Sequence, residues 1–233
     1  MRNEIFFKMK NFDCYLFDLD GTLIDTSSLI YNCFCESLKP IAKKWNVPIE
    51  KSTIAAHIGR PLKDQMQKFF AHHNIIDDDI DYEKLCRNHM NFQKTIWKDY
   101  VKVFDEAKEV LLNLVERKKK LAIVTSRGRE TTDLYLKHFK LYDFFDCIVT
   151  ADDTLAHKPD AAPALKALSF FDASLPKEKV LFVGDSVHDQ FCAKNAGLPF
   201  FLVVRKNTMM IFPDDNLKKD CDYCESDLKP LLQ

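Results

Sequence analysis

The sequence predicts an α/β fold, a parallel sheet with a small α-helical domain inserted after its first strand. Three observations carry this. Residues 12–17 (FDCYLF) form a short apolar run that stops at Asp18-Leu19-Asp20-Gly21, as a buried strand does when it ends in a polar turn. From Asp25 to about Lys98, apolar residues recur at helical spacing (Leu29, Ile30, Cys33, Phe34, Leu38, Ile41), with little β-branched enrichment. From about Val101 onward, strand-like runs alternate with helix-length segments, which implies βαβ units.

Taken in order, the first strand leads into several helices with turns near 46–50, 58–61 and 74–79, and Pro40, Pro48 and Pro61 punctuate the region. A helix over 105–118 precedes a strand over 121–125. A helix opening near Arg129 precedes a strand over 147–150. A helix over 160–171 leads to a strand over 180–184, and a helix over 187–195 is closed by Gly197. The last clear strand is 200–204. The expected organisation is a Rossmann-like core, residues 1–23 and 101–233, with a helical cap at 24–100 lying over the strand ends.

Composition narrows the function classes. At 46% hydrophobic and 30% charged, the chain can bury a real core, and 19 Phe against 5 Gly predict a bulky interior. A net charge of −1 leaves no electrostatic case for nucleic acid or a membrane surface. No run approaches the roughly 18 apolar residues of a membrane span. The start MRNEIFFKMK carries Glu4 and only a three-residue apolar run, so it does not read as a secretory signal, and a cytoplasmic setting is expected. The eight cysteines are scattered through apolar patterns and read as core residues of a reducing compartment. Cys221 and Cys224 alone have metal-like spacing, but tetrahedral zinc normally needs four such ligands. Oligomeric state is left open.

Ligands of open parallel sheets bind outside the carboxyl ends of the strands, so chemistry is expected at those ends. The first strand ends in Asp18 and Asp20, the second major one in Thr125-Ser126-Arg127. The strand over 147–150 leads to Lys158-Pro159, and the strand over 180–184 ends in Gly184-Asp185-Ser186 with Asp189 following. Singly, each has an ordinary explanation as a turn or helix cap. Together they deliver acids, hydroxyls and one lysine to one rim. Four converging acids repel unless a cation is present, and hard oxygen ligands favour Mg²⁺ over zinc.

Asp18-Leu19-Asp20-Gly21-Thr22 resembles the first motif of the haloacid dehalogenase superfamily. Thr125, Lys158-Pro159 and Gly184-Asp185-Ser186 with Asp189 follow in that family's order. A helical cap after the first motif is similar to the phosphoglycolate phosphatase and β-phosphoglucomutase-like branch. The resemblance implies a Mg²⁺-dependent phosphatase of small phosphorylated metabolites, working through an aspartyl-phosphate on Asp18. It makes Asp20 the proton donor and acceptor, which needs a raised pKa, expected from crowding by the other carboxylates. It assigns Thr125, Ser126 and Lys158 to the phosphoryl group. Asp18, the Asp20 backbone carbonyl and Asp185 become metal ligands, with Asp189 binding directly or through water. Dehalogenases and phosphonate hydrolases lack an Asp at the position of Asp20, which favours phosphate esters here.

Weaker candidates follow. Arg60, in Ile58-Gly59-Arg60-Pro61, either reads an anionic part of the substrate or is an exposed turn residue. His188 either supports the metal ligands or is a partly exposed helix residue, and His157 beside Lys158 reads the same way. His72, His73 and residues 77–79 read as a solvated helix end and turn. Two rivals stand beside the phosphatase: a phosphomutase of the β-phosphoglucomutase type and a non-catalytic binding protein.

Overall fold

The apolar run of the N-terminal region becomes strand β1 (Cys14–Phe17), buried along its whole length. The computed structural model describes residues 10–58, 60–76, 80–205, 218 and 221–233. Glu4 and its neighbours, Gly59 and residues 77–79 lie outside them. Further strands are β4 (Lys120–Val124), β5 (Cys147–Val149), β6 (Val180–Gly184), β7 (Phe200–Val203) and β8 (Tyr223–Glu225). With β1 they form a six-stranded parallel sheet in the order β5-β4-β1-β6-β7-β8.

The central strands read as nearly continuous apolar runs because both faces of the sheet are covered. Side chains alternate across a strand, so Tyr15 and Phe17 enter one apolar cluster while Cys14 and Leu16 enter another. Helices α5 (Ala107–Glu116) and α6 (Arg129–His138) cover the first face through Val110, Leu111, Leu114, Tyr135 and Leu136. On the second face lie α7 (Ala162–Leu168) and α8 (Val187–Ala196), presenting Ala164, Ala167, Cys192 and Ala193. The helices expected over 105–118 and 160–171 are each shorter, their ends occupied by turns. Residues around Cys221 and Cys224 form the edge of the sheet and a following 3₁₀ turn, Lys229–Leu232.

Between β1 and β4 lie α1 (Ser27–Trp45), α2 (Lys51–Ala55), α3 (Leu62–His72) and α4 (Tyr82–Tyr100). They are framed by β2 (Ile24–Asp25) and β3 (Lys102–Val103), an antiparallel pair. A third apolar cluster (Phe34, Leu38, Ile54, Met66, Phe69, Phe70) belongs to these helices alone. Pro40 does not interrupt α1, contrary to its reading as punctuation. Its side chain is exposed, so the ring meets solvent, and the buried stripe of Leu29, Cys33, Phe34 and Leu38 holds the preceding turns in place. No helix among the described residues is long and apolar enough to cross a membrane.

A buried ion pair braces the base of this helical segment. Arg205, just beyond β7, donates to Glu106 and to the Thr22 carbonyl, and its guanidinium lies 3.7 Å from the Phe104 ring centroid. The Leu228 N–H also donates to Glu106, at 3.1 Å. A single break leaves the other charge buried alone, whereas removing both does not. Glu106→Ala should therefore cost about 3–5 kcal/mol in urea unfolding. The double variant Glu106→Leu/Arg205→Met should recover most of that loss.

Candidate active site

The strand order places β1 between β4 and β6, and the chain passes from β1 to one side before returning on the other. That reversal opens a crevice at the carboxyl ends. The ladder carries the site residues into it: the Asp18 N–H donates to the Val183 carbonyl and the Thr125 N–H to the Val149 carbonyl, both at 2.9 Å. Asp18, Asp20, Thr125, Ser126, Asp185 and Asp189 all line one cavity of about 350 Å³ beneath the helical segment. Lys158 reaches the same acids from the loop after β5.

Two glycines let the acids approach so closely. A Cβ on Gly21 would lie 2.0 Å from a carboxylate oxygen of Asp185, and the residue's φ of +81° suits glycine. A Cβ on Gly184 would lie 2.5 Å from the Asp189 Cβ. Carboxylate oxygens of Asp18, Asp185 and Asp189 consequently lie within 4.8 Å of one another. Lys158, only 4% exposed, donates to Asp18 Oδ1 at 2.7 Å and to Asp189 Oδ1 at 2.6 Å. The other oxygen of Asp189 accepts from the Ser186 hydroxyl at 2.6 Å and the Ser186 N–H at 3.1 Å. Ser186 in turn caps α8, so Asp189 both closes a helix start and holds the lysine.

Burial pushes Asp18 up to about 7, with Lys158 opposing and the charges of Asp189 and Asp20 reinforcing. Asp185 is also raised, first by burial and then by Asp18 and Asp189. Burial lowers Lys158, but its two carboxylates more than reverse that and keep it charged. One ammonium does not neutralise three carboxylates, and three converging oxygens without competing sulfur or imidazole suit a hard divalent ion. The residues present fit Mg²⁺.

Asp20 departs from expectation. Its carboxylate accepts from Arg127 Nε at 2.9 Å, Arg127 Nη2 at 2.7 Å and the Thr26 hydroxyl at 2.6 Å. Burial would raise its pKa, but the charge and hydrogen bonds of Arg127, with Thr26, outweigh burial and hold it below the usual carboxylate value. Crowding by acids does not dominate at Asp20, because a guanidinium faces it. Arg127 is a site residue that the sequence pattern does not reveal. It stands two places after Thr125, but its partner is 107 residues away in the chain, and local pattern carries no signal for such a pair.

Among the remaining candidates, Thr125 is 3% exposed and its hydroxyl accepts from the Arg127 N–H at 3.2 Å. Arg60 is half-buried and lines the same cavity, with no hydrogen-bond partner for its Nε among the described residues. His188 is not partly exposed but buried at 5%, because the first turn of α8 packs inward. Burial, with Arg60 nearby, lowers its pKa to about 4. His157 is half-buried, His72 exposed and His73 half-buried at the end of α3.

Known proteins resemble this chain over most of its length. A haloacid dehalogenase-like hydrolase family model matches residues 15–203. A protein named Pyrophosphatase PpaX from Bacillus cereus (strain ATCC 10987 / NRS 248) is 34% identical over 182 residues, 78% of each chain. Among solved structures, a hydrolase from Pseudomonas syringae superposes with a TM-score of 0.77 at 24% identity, covering 94% of both chains. CbbY from Rhodobacter sphaeroides, solved in complex with phosphate, gives a TM-score of 0.74 at 18% identity over 95% of this chain and 96% of its own. The chain belongs to the haloacid dehalogenase-like hydrolase family.

Proposed function

We propose that the chain is a phosphatase of small phosphorylated metabolites, of the phosphoglycolate phosphatase kind, with Mg²⁺ as its cofactor and Asp18 as its nucleophile. The convergence of Asp18, Asp185, Asp189, Thr125 and Lys158 at adjoining strand ends, inside one cavity, carries the reading. The cavity, at about 350 Å³, suits a small molecule. The name of the Bacillus relative adds pyrophosphate to the first substrates to try.

In the first step a carboxylate oxygen of Asp18 bonds to phosphorus while the ester P–O bond breaks, and the departing oxygen takes a proton from Asp20, a carboxylate at rest that has first received that proton from the monoanionic ester. In the second, water attacks the aspartyl-phosphate, gives its proton to Asp20, and releases inorganic phosphate with the Asp18 carboxylate restored. The Thr125 hydroxyl and the backbone N–H near Ser126 hold phosphoryl oxygens, and Lys158 offsets their charge. Asp18, Asp185 and the Asp20 backbone carbonyl would hold Mg²⁺, which supplies further charge neutralisation when bound. Asp189 would hold it directly or through water. Residues 24–100 act as a cap that excludes bulk water, and Arg60 binds an anionic end of the substrate. A cytoplasmic setting accords with eight free thiols.

Asp18→Asn should reduce release of inorganic phosphate by on the order of 10⁴-fold or more, since it removes the nucleophile itself. Activity retained in that variant would refute the covalent mechanism. An isomerised sugar phosphate in place of free phosphate would identify a mutase.

A second expectation concerns pH. Asp18, raised to about 7, and Asp185, also raised, keep protons in the folded chain that the unfolded chain releases near the ordinary carboxylate value of 3.8. The contribution of Asp18 to stability is complete below that value and is lost as pH rises through about 7, and that of Asp185 is likewise lost as pH rises. Mg²⁺ binds the deprotonated acids, so its stabilisation grows through the same window. The rise in unfolding midpoint caused by saturating Mg²⁺ should be larger at pH 8 than at pH 5, and Asp185→Asn should abolish it. An equal rise at both pH values would contradict this.

A further inference from the structure

Asp20 is held in an unusually complete grip. A carboxylate offers about four lone-pair sites. Oδ1 accepts from the Thr26 hydroxyl at 2.6 Å and Arg127 Nη2 at 2.7 Å, and Oδ2 accepts from Arg127 Nε at 2.9 Å. Three sites are therefore taken among the described residues, and the one they leave lies on Oδ2. The planar fork of Arg127 fixes the carboxylate plane, since its two N–H groups must meet both oxygens at once. Arg127 is fixed in its turn. Its guanidinium lies 4.8 Å from the centroid of the Tyr135 ring, and the Tyr135 hydroxyl accepts a 2.7 Å hydrogen bond from Gln93 on α4.

We infer that Arg127 is a positioning residue for Asp20, leaving a single Oδ2 lone pair for the proton exchanged with the substrate, and that Gln93 and Tyr135 tie this alignment to the helical segment. The inference rests on the reading of Asp20 as the group that protonates the leaving oxygen. Lysine does not substitute fully for the fork, because its donors do not lie in one plane and cannot set the carboxylate's rotation. Gln93 is 4% exposed and lines the same cavity, so a displacement of α4 that loosens its bond to Tyr135 reaches Asp20 through two side chains.

The test compares leaving groups. An alkyl phosphate needs its departing oxygen protonated, whereas the p-nitrophenolate of p-nitrophenyl phosphate departs as a stable anion and does not. Arg127→Gln should lower kcat/KM on the alkyl phosphate by on the order of 10²-fold and on p-nitrophenyl phosphate by less than about 10-fold, the difference being the share of acid catalysis. Arg127→Lys should show the same selectivity with a smaller loss, and Gln93→Ala a smaller loss still. Thermal unfolding of each variant separates misfolding from misalignment, and Arg127→Lys serves if Arg127→Gln does not fold. Asp20→Asn is the reference. If it is selective and the Arg127 variants lose activity equally on both substrates, Arg127 does not position Asp20. If Gln93→Ala leaves the ratio of the two substrates unchanged, the tie to the helical segment is refuted. If Asp20→Asn is itself unselective, the acid role of Asp20 fails and takes this inference with it.

Discussion

Three carboxylates forced together around one buried ammonium set the terms for the rest of this molecule. Asp18 and Asp185 extend from neighbouring parallel strands, and Asp189 returns to them from the first turn of α8. Lys158 bridges Asp18 and Asp189 but leaves the group net negative. In a buried setting such an excess is relieved by taking up protons or a cation. The raised pKa values of Asp18 and Asp185 are the first outcome, and the fit to a divalent ion is the second. Gly21 and Gly184 belong to the same constraint, because any side chain at either position would occupy the space into which Asp185 and Asp189 fold. Apolar substitution of Lys158 would remove the only cation hydrogen-bonded to Asp18 among the described residues and leave the acids to repel unopposed.

Two acids two residues apart are driven in opposite directions by their surroundings. Asp18 faces other acids and one shared lysine, and burial prevails. Asp20 has turned away, where the chain leaves β1 and bends through Gly21, and meets a guanidinium and a hydroxyl. The separation keeps the cluster of acids around Lys158 from dictating the charge state of Asp20. It also makes Asp20 a carboxylate at rest, so its readiness lies in orientation rather than in a proton already held. Environment, not residue type, divides the roles.

Much of this was legible in the sequence. Strand-ending acids, their order along the chain and the alternation of strand and helix placed Asp18, Thr125, Lys158, Asp185 and Asp189 at one rim, because strand ends in a parallel sheet face one way. The choice between helix cap and site residue was a false one at Asp189, whose two oxygens serve Ser186 and Lys158 separately. Arg127 was hidden because its meaning lies in a contact across the sheet. The burial of His188 was hidden too, since α8 carries no strong apolar stripe: His188, Asp189 and Gln190 are all buried on it. Pro40 misled for a simpler reason. The buried stripe in the turns before it carries the helix through that position.

The division between the apolar clusters explains why Asp20 is placed to register the helical segment. Leu29 and Cys33 of α1 and Trp97 of α4 belong to the cluster under the sheet, whereas Phe34, Leu38 and Leu85 belong to the helical one. A seam thus crosses both long helices. The polar residues buried along it on α4 are His89 and Gln93, both of which line the cavity. His89 lies edge-on to Phe34 at 4.9 Å between centroids, and burial lowers its pKa to about 3, so it sits there uncharged. Gln93 crosses the seam to Tyr135. Apolar clusters resist separation over their whole contact area, but a polar seam bound by few hydrogen bonds yields at those bonds first. Below it, Arg205 and Glu106 lock the base of the segment to the core. Gln93 and Tyr135 thus join the seam on α4 to the guanidinium that holds Asp20.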